Sequence, residues 1–297
     1  MPGLSILIPV FNREVSELMR SLLAQVADWP GPVEISLLDD GSGEEFRVRN
    51  RSLAALAGVV YQELPLNVGR AAVRNRLADQ ASHEYLLLLD NDSLLPDAHF
   101  LARYAQAVAA GANQLLVGGT MYAAAPPTNP ALRLRWHYGR AREMRPAAIR
   151  QRDPGGQLAI NNALLPKRLL QQFPFDERLS GYGHEDTKFG LELSRAGICV
   201  HHLDNPVLHD GLETAAIFLD KSERAVHNLA QVLCTDGLGA TTRLAQAAQR
   251  LHRLRMVGVA QAALTVAEPW LRRNLLSPTP SLRAFDALKL LWLLREK

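Results

Sequence analysis

Apolar and polar positions along the first part of the chain alternate between two periods. Short apolar runs at Leu4–Val10, Val33–Asp39, Val59–Gln62, Glu84–Leu89 and Leu115–Gly118 are bounded by turn residues, the pattern of buried strands. Between them, apolar residues recur at three- and four-residue steps over Glu14–Val26, Glu44–Leu56, Gly69–Gln80 and Ala98–Ala109, which predicts helices. This alternation over roughly 120 residues is the βαβ signature of an α/β fold, a mostly parallel, Rossmann-like sheet flanked by helices. In such a sheet the carboxyl ends of the strands lie along one edge, where ligands bind. Three of those ends are polar: Asn12-Arg13, Asp39-Asp40-Gly41-Ser42 and Asp90-Asn91-Asp92. They are expected to converge on one cleft.

Residues 123–157 break the rhythm with Pro126-Pro127, Pro130, Pro146 and Pro154-Gly155-Gly156, and carry several arginines. That composition predicts a mobile substrate loop. Order resumes over Gln157–Leu165, a helix is expected after Gly181-Tyr182-Gly183, and Ile198–His202 reads as another strand. From Thr214 onward only helical patterns remain, and a boundary is placed near residue 235, dividing a domain of residues 1–235 from a helical, basic extension of residues 236–297. Near the end, Phe285, Leu288, Leu291 and Trp292 recur at helical spacing with Arg283, Lys289, Arg295 and Lys297 nearby. Such an amphipathic, basic helix can pack on the domain, form a dimer or lie in a membrane interface. Packing is the first expectation.

With 47% hydrophobic and 21% charged residues, the composition is that of a globular protein. The net charge of +3 hides an asymmetry, since residues 240–297 carry +7 and the remainder −4. A basic tail suits anionic lipid or an acidic partner; without a zinc finger, helix-turn-helix or RNA-binding motif, nucleic acid is not expected as a partner. Cys199 and Cys234 have no zinc-ligand spacing and are expected as buried thiols of a reducing compartment. The N-terminal run is too short and too little charged for a secretory leader, and no run reaches the ~20 apolar residues of a membrane span. The expected location is cytoplasmic, with peripheral placement at the inner face of the membrane through the basic helix as a further option.

The chemistry concentrates at Leu86-Leu87-Leu88-Leu89-Asp90-Asn91-Asp92, where an apolar strand runs into two carboxylates one residue apart. Acids at the end of a buried strand must be paired, hydrogen-bonded or metal-bound. Two readings are open: a cap for the next helix, or a site for a hard divalent cation shared with substrate phosphates.

Several segments together resemble family 2 of the nucleotide-sugar glycosyltransferases, which have the GT-A fold. They are Leu4–Asn12, Leu37–Ser42, Asn67–Asn75, the Asp90/Asp92 pair and Gly181-Tyr182-Gly183-His184-Glu185-Asp186, in the family's order over about 200 residues. The resemblance implies roles position by position. Pro9, Val10 and Phe11 would cradle the donor base, and Asp40 would accept the imide N–H of uracil. Asn67, Arg70 and Arg74 would stand at a helix start facing phosphate. Asp90 and Asn91 would contact the donor, and Asp92 would be the direct ligand of Mn²⁺ or Mg²⁺, with His209 completing the metal shell. Asp186 would be the catalytic base and Glu185 would position the acceptor. Asn161-Asn162 and Lys167-Arg168 resemble the acceptor-side segment.

The function expected on this basis is inverting, metal-dependent transfer of a sugar from a nucleoside-diphosphate sugar, UDP-sugar first, to a hydroxyl of a glycan or lipid-linked acceptor in glycan or cell-envelope polysaccharide synthesis. A sugar-nucleotide nucleotidyltransferase would carry a Gly-rich basic loop after the first strand, where this chain has Pro9-Val10-Phe11-Asn12-Arg13. An inactive GT-A-like binding or scaffold protein is the other alternative, against which the retained acids argue.

Overall fold

The computed structural model describes residues 2–111, 114–178, 185–235, 240 and 242–296. The elements in order are β1 (Leu4–Val10), α1 (Ser16–Leu23), β2 (Val33–Asp39), α2 (Glu44–Arg51), β3 (Val59–Glu63), α3 (Arg70–Gln80), β4 (Tyr85–Leu89), β5 (Ser93–Leu94), α4 (Phe100–Ala109), β6 (Leu115–Val117) and β7 (Thr120–Met121). They continue with α5 (Arg133–Tyr138), α6 (Ala147–Arg150), β8 (Asn162–Pro166), α7 (Lys167–Gln172), α8 (Glu185–Arg195), β9 (Val200–His202), β10 (Val207–His209), α9 (Ala215–Thr235), α10 (Arg243–Arg253), α11 (Val257–Leu275) and α12 (Leu282–Arg295).

The central sheet has seven strands in the order β3-β2-β1-β4-β8-β6-β9. All pairs are parallel except those of β8, which runs antiparallel to both β4 and β6. The period-2 alternation of the strands places their side chains in two layers. Leu4, Ile6, Ile8, Leu87 and Leu89 enter one core, and Leu7, Leu86 and Leu88 the other. Because β8 is reversed, it is its N-terminal end that joins the functional edge, with Asn162 opposite Leu89. A second sheet, in the order β5-β10-β7, sits beside that edge.

Residues 123–157 form no open loop, contrary to the expectation for this segment. Two of the prolines start short helices: Pro130 opens a 3₁₀ turn capped by the Asn129 side chain, and Pro146 is the N-cap of α6. Several of the segment's arginines hold the fold together. Buried Arg150 donates to the carbonyl oxygens of Val117, Gly118 and Leu203, tying α6 to the ends of β6 and β9. The expectation of buried thiols is also corrected, since Cys199 and Cys234 are both exposed.

Helices α9 to α12 share a third apolar cluster with Leu134 of α5. On α12 the stripe Phe285, Leu288, Leu291 and Trp292 is buried in that cluster, so this face packs within the chain. Among the described residues, no helix is long and apolar enough to cross a membrane.

Candidate active site

Each strand end is locked by its own turn. Asp40 N–H donates to Val10 O, and the Asp40 carboxylate accepts Val68 N–H at 2.7 Å and Gly69 N–H at 3.1 Å, clasping the Asn67–Arg70 turn to β2. Burial raises the Asp40 pKa, and those two N–H bonds oppose the rise. Gly41 makes the crossing possible: its φ is +77°, and a Cβ there would lie 2.5 Å from Asn67 N. Asp39, fully buried, accepts Ser42 N–H at 2.7 Å. Of the expected base cradle, Pro9 and Val10 lie in the strand, Val10 fully buried, while Phe11 is 47% exposed just beyond it.

Between Asp90 and Asp92 the chain turns, with Ser93 N–H donating to Asp90 O and Asn91 Nδ2 reaching Phe11 O at 3.3 Å. Arg74 is buried and donates to Asp90 Oδ1 at 2.7 Å, with Glu185 Oε1 at 3.5 Å and Asp186 Oδ1 at 3.7 Å from its other nitrogen. Arg70, one helical turn earlier and half exposed, lies 3.5 Å from Glu185 and 3.9 Å from Asp90. The two arginines thus differ in place: Arg74 neutralises three carboxylates from behind, and Arg70 lines the cleft.

Asp92 meets His209 through the small sheet. The β5–β10 register sets His209 opposite Ser93, and Asp210 N–H donates to Asp92 O at 2.8 Å. His209 Nδ1 is then 3.4 Å from Asp92 Oδ1, and a Cβ on Gly211 would come within 2.6 Å of Asp92 Oδ2. Burial works to raise the Asp92 pKa, but His209 and the charges of Arg70 and Arg13 overcome it and hold it at about 2. The other ring nitrogen, His209 Nε2, is buried with no hydrogen-bond partner among the described residues.

On the facing side, Asp186 Oδ2 accepts Ile160 N–H at 3.0 Å, and Oδ1 is buried without a hydrogen bond among the described residues. Burial and the neighbouring Glu185 carboxylate outweigh Arg74 and push the Asp186 pKa up to about 6. Asp90, Asp92, Arg70, Glu185, Asp186 and His209 line one cleft of about 400 Å³. The Gly181–His184 part of the acidic motif lies outside the described residues.

Other groups at the cleft were not foreseen. The Tyr122 ring packs on His209 with centroids 5.2 Å apart, its hydroxyl donates to Glu143, and Arg135 binds Glu143 at 3.1 Å. Burial and Glu143 push the Tyr122 pKa well above its ordinary range. Arg135 stands over both the Tyr122 and Phe218 rings at 5.3 Å, joining the site to α9. Sequence spacing carries no signal for this set, because Glu143 and Arg135 lie within the proline-punctuated segment, which has no regular period linking them to Tyr122. Of the segment expected on the acceptor side, Asn161 lines the cleft and donates to Thr120, whereas Asn162 is consumed by Gly119 O, Asn205 O and Tyr104. Lys167 donates to Ala81 O, closing the end of α3.

Among the described residues, no group of three or more His, Cys, Asp or Glu side chains gathers as a metal cage. The pair Asp92 and His209, with an imidazole nitrogen lacking a partner, still suits a cation such as Mg²⁺ or Mn²⁺ that takes few protein ligands and fills its shell from substrate phosphates and water.

Residues 5–164 match the model of the family described as glycosyl transferase family 2. Among solved structures, the mannosyltransferase PcManGT from Pyrobaculum calidifontis, in complex with GDP-Man and Mn²⁺, is similar with a TM-score of 0.58 and 16% identity over 97% of this chain and 78% of that one. Residues 1–349 of S. aureus TarS give a TM-score of 0.51 and 17% identity over 99% of this chain and 90% of that one. The same TarS region in complex with UDP gives 0.51 and 15%, with the same coverage. At these identities the likeness establishes the GT-A fold. No curated protein sequence matches the chain.

Proposed function

This chain belongs to glycosyl transferase family 2, and we propose that it transfers a sugar, with inversion, from a nucleoside-diphosphate sugar to an acceptor hydroxyl. UDP-sugar and GDP-sugar are the first donors to test, because the similar folds of TarS and PcManGT are solved with UDP and with GDP-Man. The observation that carries the reading is the division of one cleft between two kinds of acid. Asp92, held ionised beside His209, faces the same space as Asp186, whose Oδ1 has no hydrogen bond among the described residues and whose pKa is about 6. A carboxylate with a pKa near the working pH, and with one oxygen near Arg74 but without a hydrogen bond among the described residues, suits general-base catalysis.

In this reading the acceptor hydroxyl gives its proton to Asp186 Oδ1 while its oxygen bonds to the anomeric carbon. The bond from that carbon to the diphosphate oxygen breaks on the opposite face, and its electron pair leaves with the diphosphate. Arg70, at the cleft and on the first turn of α3, stabilises that departing charge. Asp92 and His209 would hold a divalent cation, which when bound neutralises further charge on the leaving group. Glu185, pinned near Arg70 and Arg74, orients the acceptor beside the base.

Thermal unfolding in a panel of nucleotide sugars, with and without Mn²⁺, tests the donor. The donor should raise the midpoint by mass action, and more so with Mn²⁺. Asp92→Ala should remove the Mn²⁺ increment, and Asp186→Asn should keep donor binding and lose transfer. A fully active Asp186→Asn enzyme would overturn the base assignment, and no response to any nucleotide sugar would overturn the reading as a whole.

A further inference from the structure

Helix α11 is apolar on two sides. One side, with Leu264, Leu271 and Leu275, packs into the helical cluster. The opposite side carries Val259, Ala262, Ala263, Val266 and Trp270 at three-, four- and seven-residue steps, on one stripe of the helix surface. That stripe is bare: Val259 is 67% exposed, Val266 84% and Trp270 65%. A helix that buries one face ordinarily turns a polar face to water. The corner leading into it, between α10 and α11, adds Leu254 at 57% and Met256 at 46% exposure.

Cations frame this stripe. Arg250, Arg253 and Arg255 are exposed at the end of α10 and in the corner, and Arg273 is exposed on the far end of the same α11 face. From Thr242 to Leu276 the one acid is Glu268, and it is spent on Arg272 at 2.9 Å and Arg295 at 2.8 Å. The surface therefore combines exposed valine, methionine and tryptophan with arginines that no acid on that stretch answers.

We propose that this face docks on an anionic lipid bilayer. Helix α11 lies in the plane of the interface, its Val259–Val266–Trp270 stripe at the acyl boundary and the arginines among the headgroup phosphates. Charge selects this occupant over a second copy of the chain. Antiparallel pairing of two such faces would set the arginine corner of one against Arg273 of the other, and parallel pairing would set corner against corner. Headgroup phosphates convert the same charges into attraction. The helix concerned is α11, since the corresponding stripe of α12 is buried.

The test uses the full chain and sucrose-loaded vesicles, with sedimentation as the readout, so it does not depend on transferase activity. The protein should sediment with vesicles of phosphatidylglycerol in phosphatidylcholine and stay in solution with phosphatidylcholine alone. Val266→Ser with Trp270→Ser should weaken binding at least about 10-fold. Replacing Arg250, Arg253 and Arg255 together by Gln should weaken it about 100-fold. Trp270 emission should shift to the blue on vesicle addition, and Trp270→Phe should lose that shift while still binding. These positions are exposed, so each variant should keep the parental unfolding midpoint. Failure to bind anionic vesicles, binding unmoved by either set of substitutions, or a dimer in sedimentation equilibrium that Val266→Glu dissolves would each overturn the proposal.

Discussion

At Asp186, burial and the Glu185 charge oppose Arg74 and the Ile160 N–H, and burial prevails, leaving the carboxyl with a pKa of about 6. If this group takes the acceptor proton, kcat/KM should fall about tenfold per pH unit below pH 6, and the limb should vanish from the residual activity of Asp186→Asn. Stability follows the same titration. A carboxyl whose folded pKa is raised holds its proton more tightly in the folded chain, so its ionisation above pH 6 costs stability that returns as the pH falls toward 4. Asp186→Asn should therefore gain about 1–2 kcal/mol in urea unfolding at pH 8 and little at pH 4. Arg74 has the opposite sensitivity. Arg74→Met would leave Asp90, Glu185 and Asp186 without their shared counter-charge in a buried setting, at a cost of about 3–5 kcal/mol, read as a lower denaturation midpoint. Asp90 and Asp92 were legible as carboxylates at the end of an apolar strand, whereas Glu185 and Asp186, at a helix start, were singled out only by the family resemblance. Which arginine faces the cleft was not legible, since Arg70 and Arg74 share a helix face and only packing separates them.

Turns and short strands decide where those side chains stand. Gly41 holds a left-handed conformation and lets the Asn67 backbone pass where a Cβ would be; Gly41→Ala should destabilise by about 2–4 kcal/mol and also weaken donor binding, because it dislodges the turn that Asp40 clasps. The long strands and the helices between them were legible from periodicity, β1 and β2 with the same bounds in sequence and structure. Strands β5, β7 and β10 were not, as two or three residues carry no period. The meeting of His209 with Asp92 depends on that short β5–β10 register, so the residue resemblance named both while their contact had to come from the fold. Proline misled in the other direction. In residues 123–157 it begins helical turns, and buried Arg150 anchors them, so Arg150→Ala should cost about 3 kcal/mol by stranding the carbonyls it serves.

For the whole molecule, the C-terminal helices build an apolar cluster of their own with α5 and α9. Removing residues 281–296 would strip Phe285, Leu288, Leu291 and Trp292 from a cluster that also holds Phe218 and Leu134, and the truncated chain should aggregate or melt well below the full one. The amphipathic pattern of that last helix was legible. Its partner was not, because the same pattern serves a membrane, a dimer or a neighbouring helix.

Arg135 lies between the Tyr122 ring, which touches His209, and the Phe218 ring of α9. For anyone recombining enzymes of this kind, this sets the cutting points. A graft that exchanges only the terminal helices would leave a guanidinium facing a foreign ring and would loosen Tyr122 behind the site. A chimera that preserves activity should carry residues 120–143 together with residues 215–296 as one cassette, so that Tyr122, Arg135, Glu143 and Phe218 travel together.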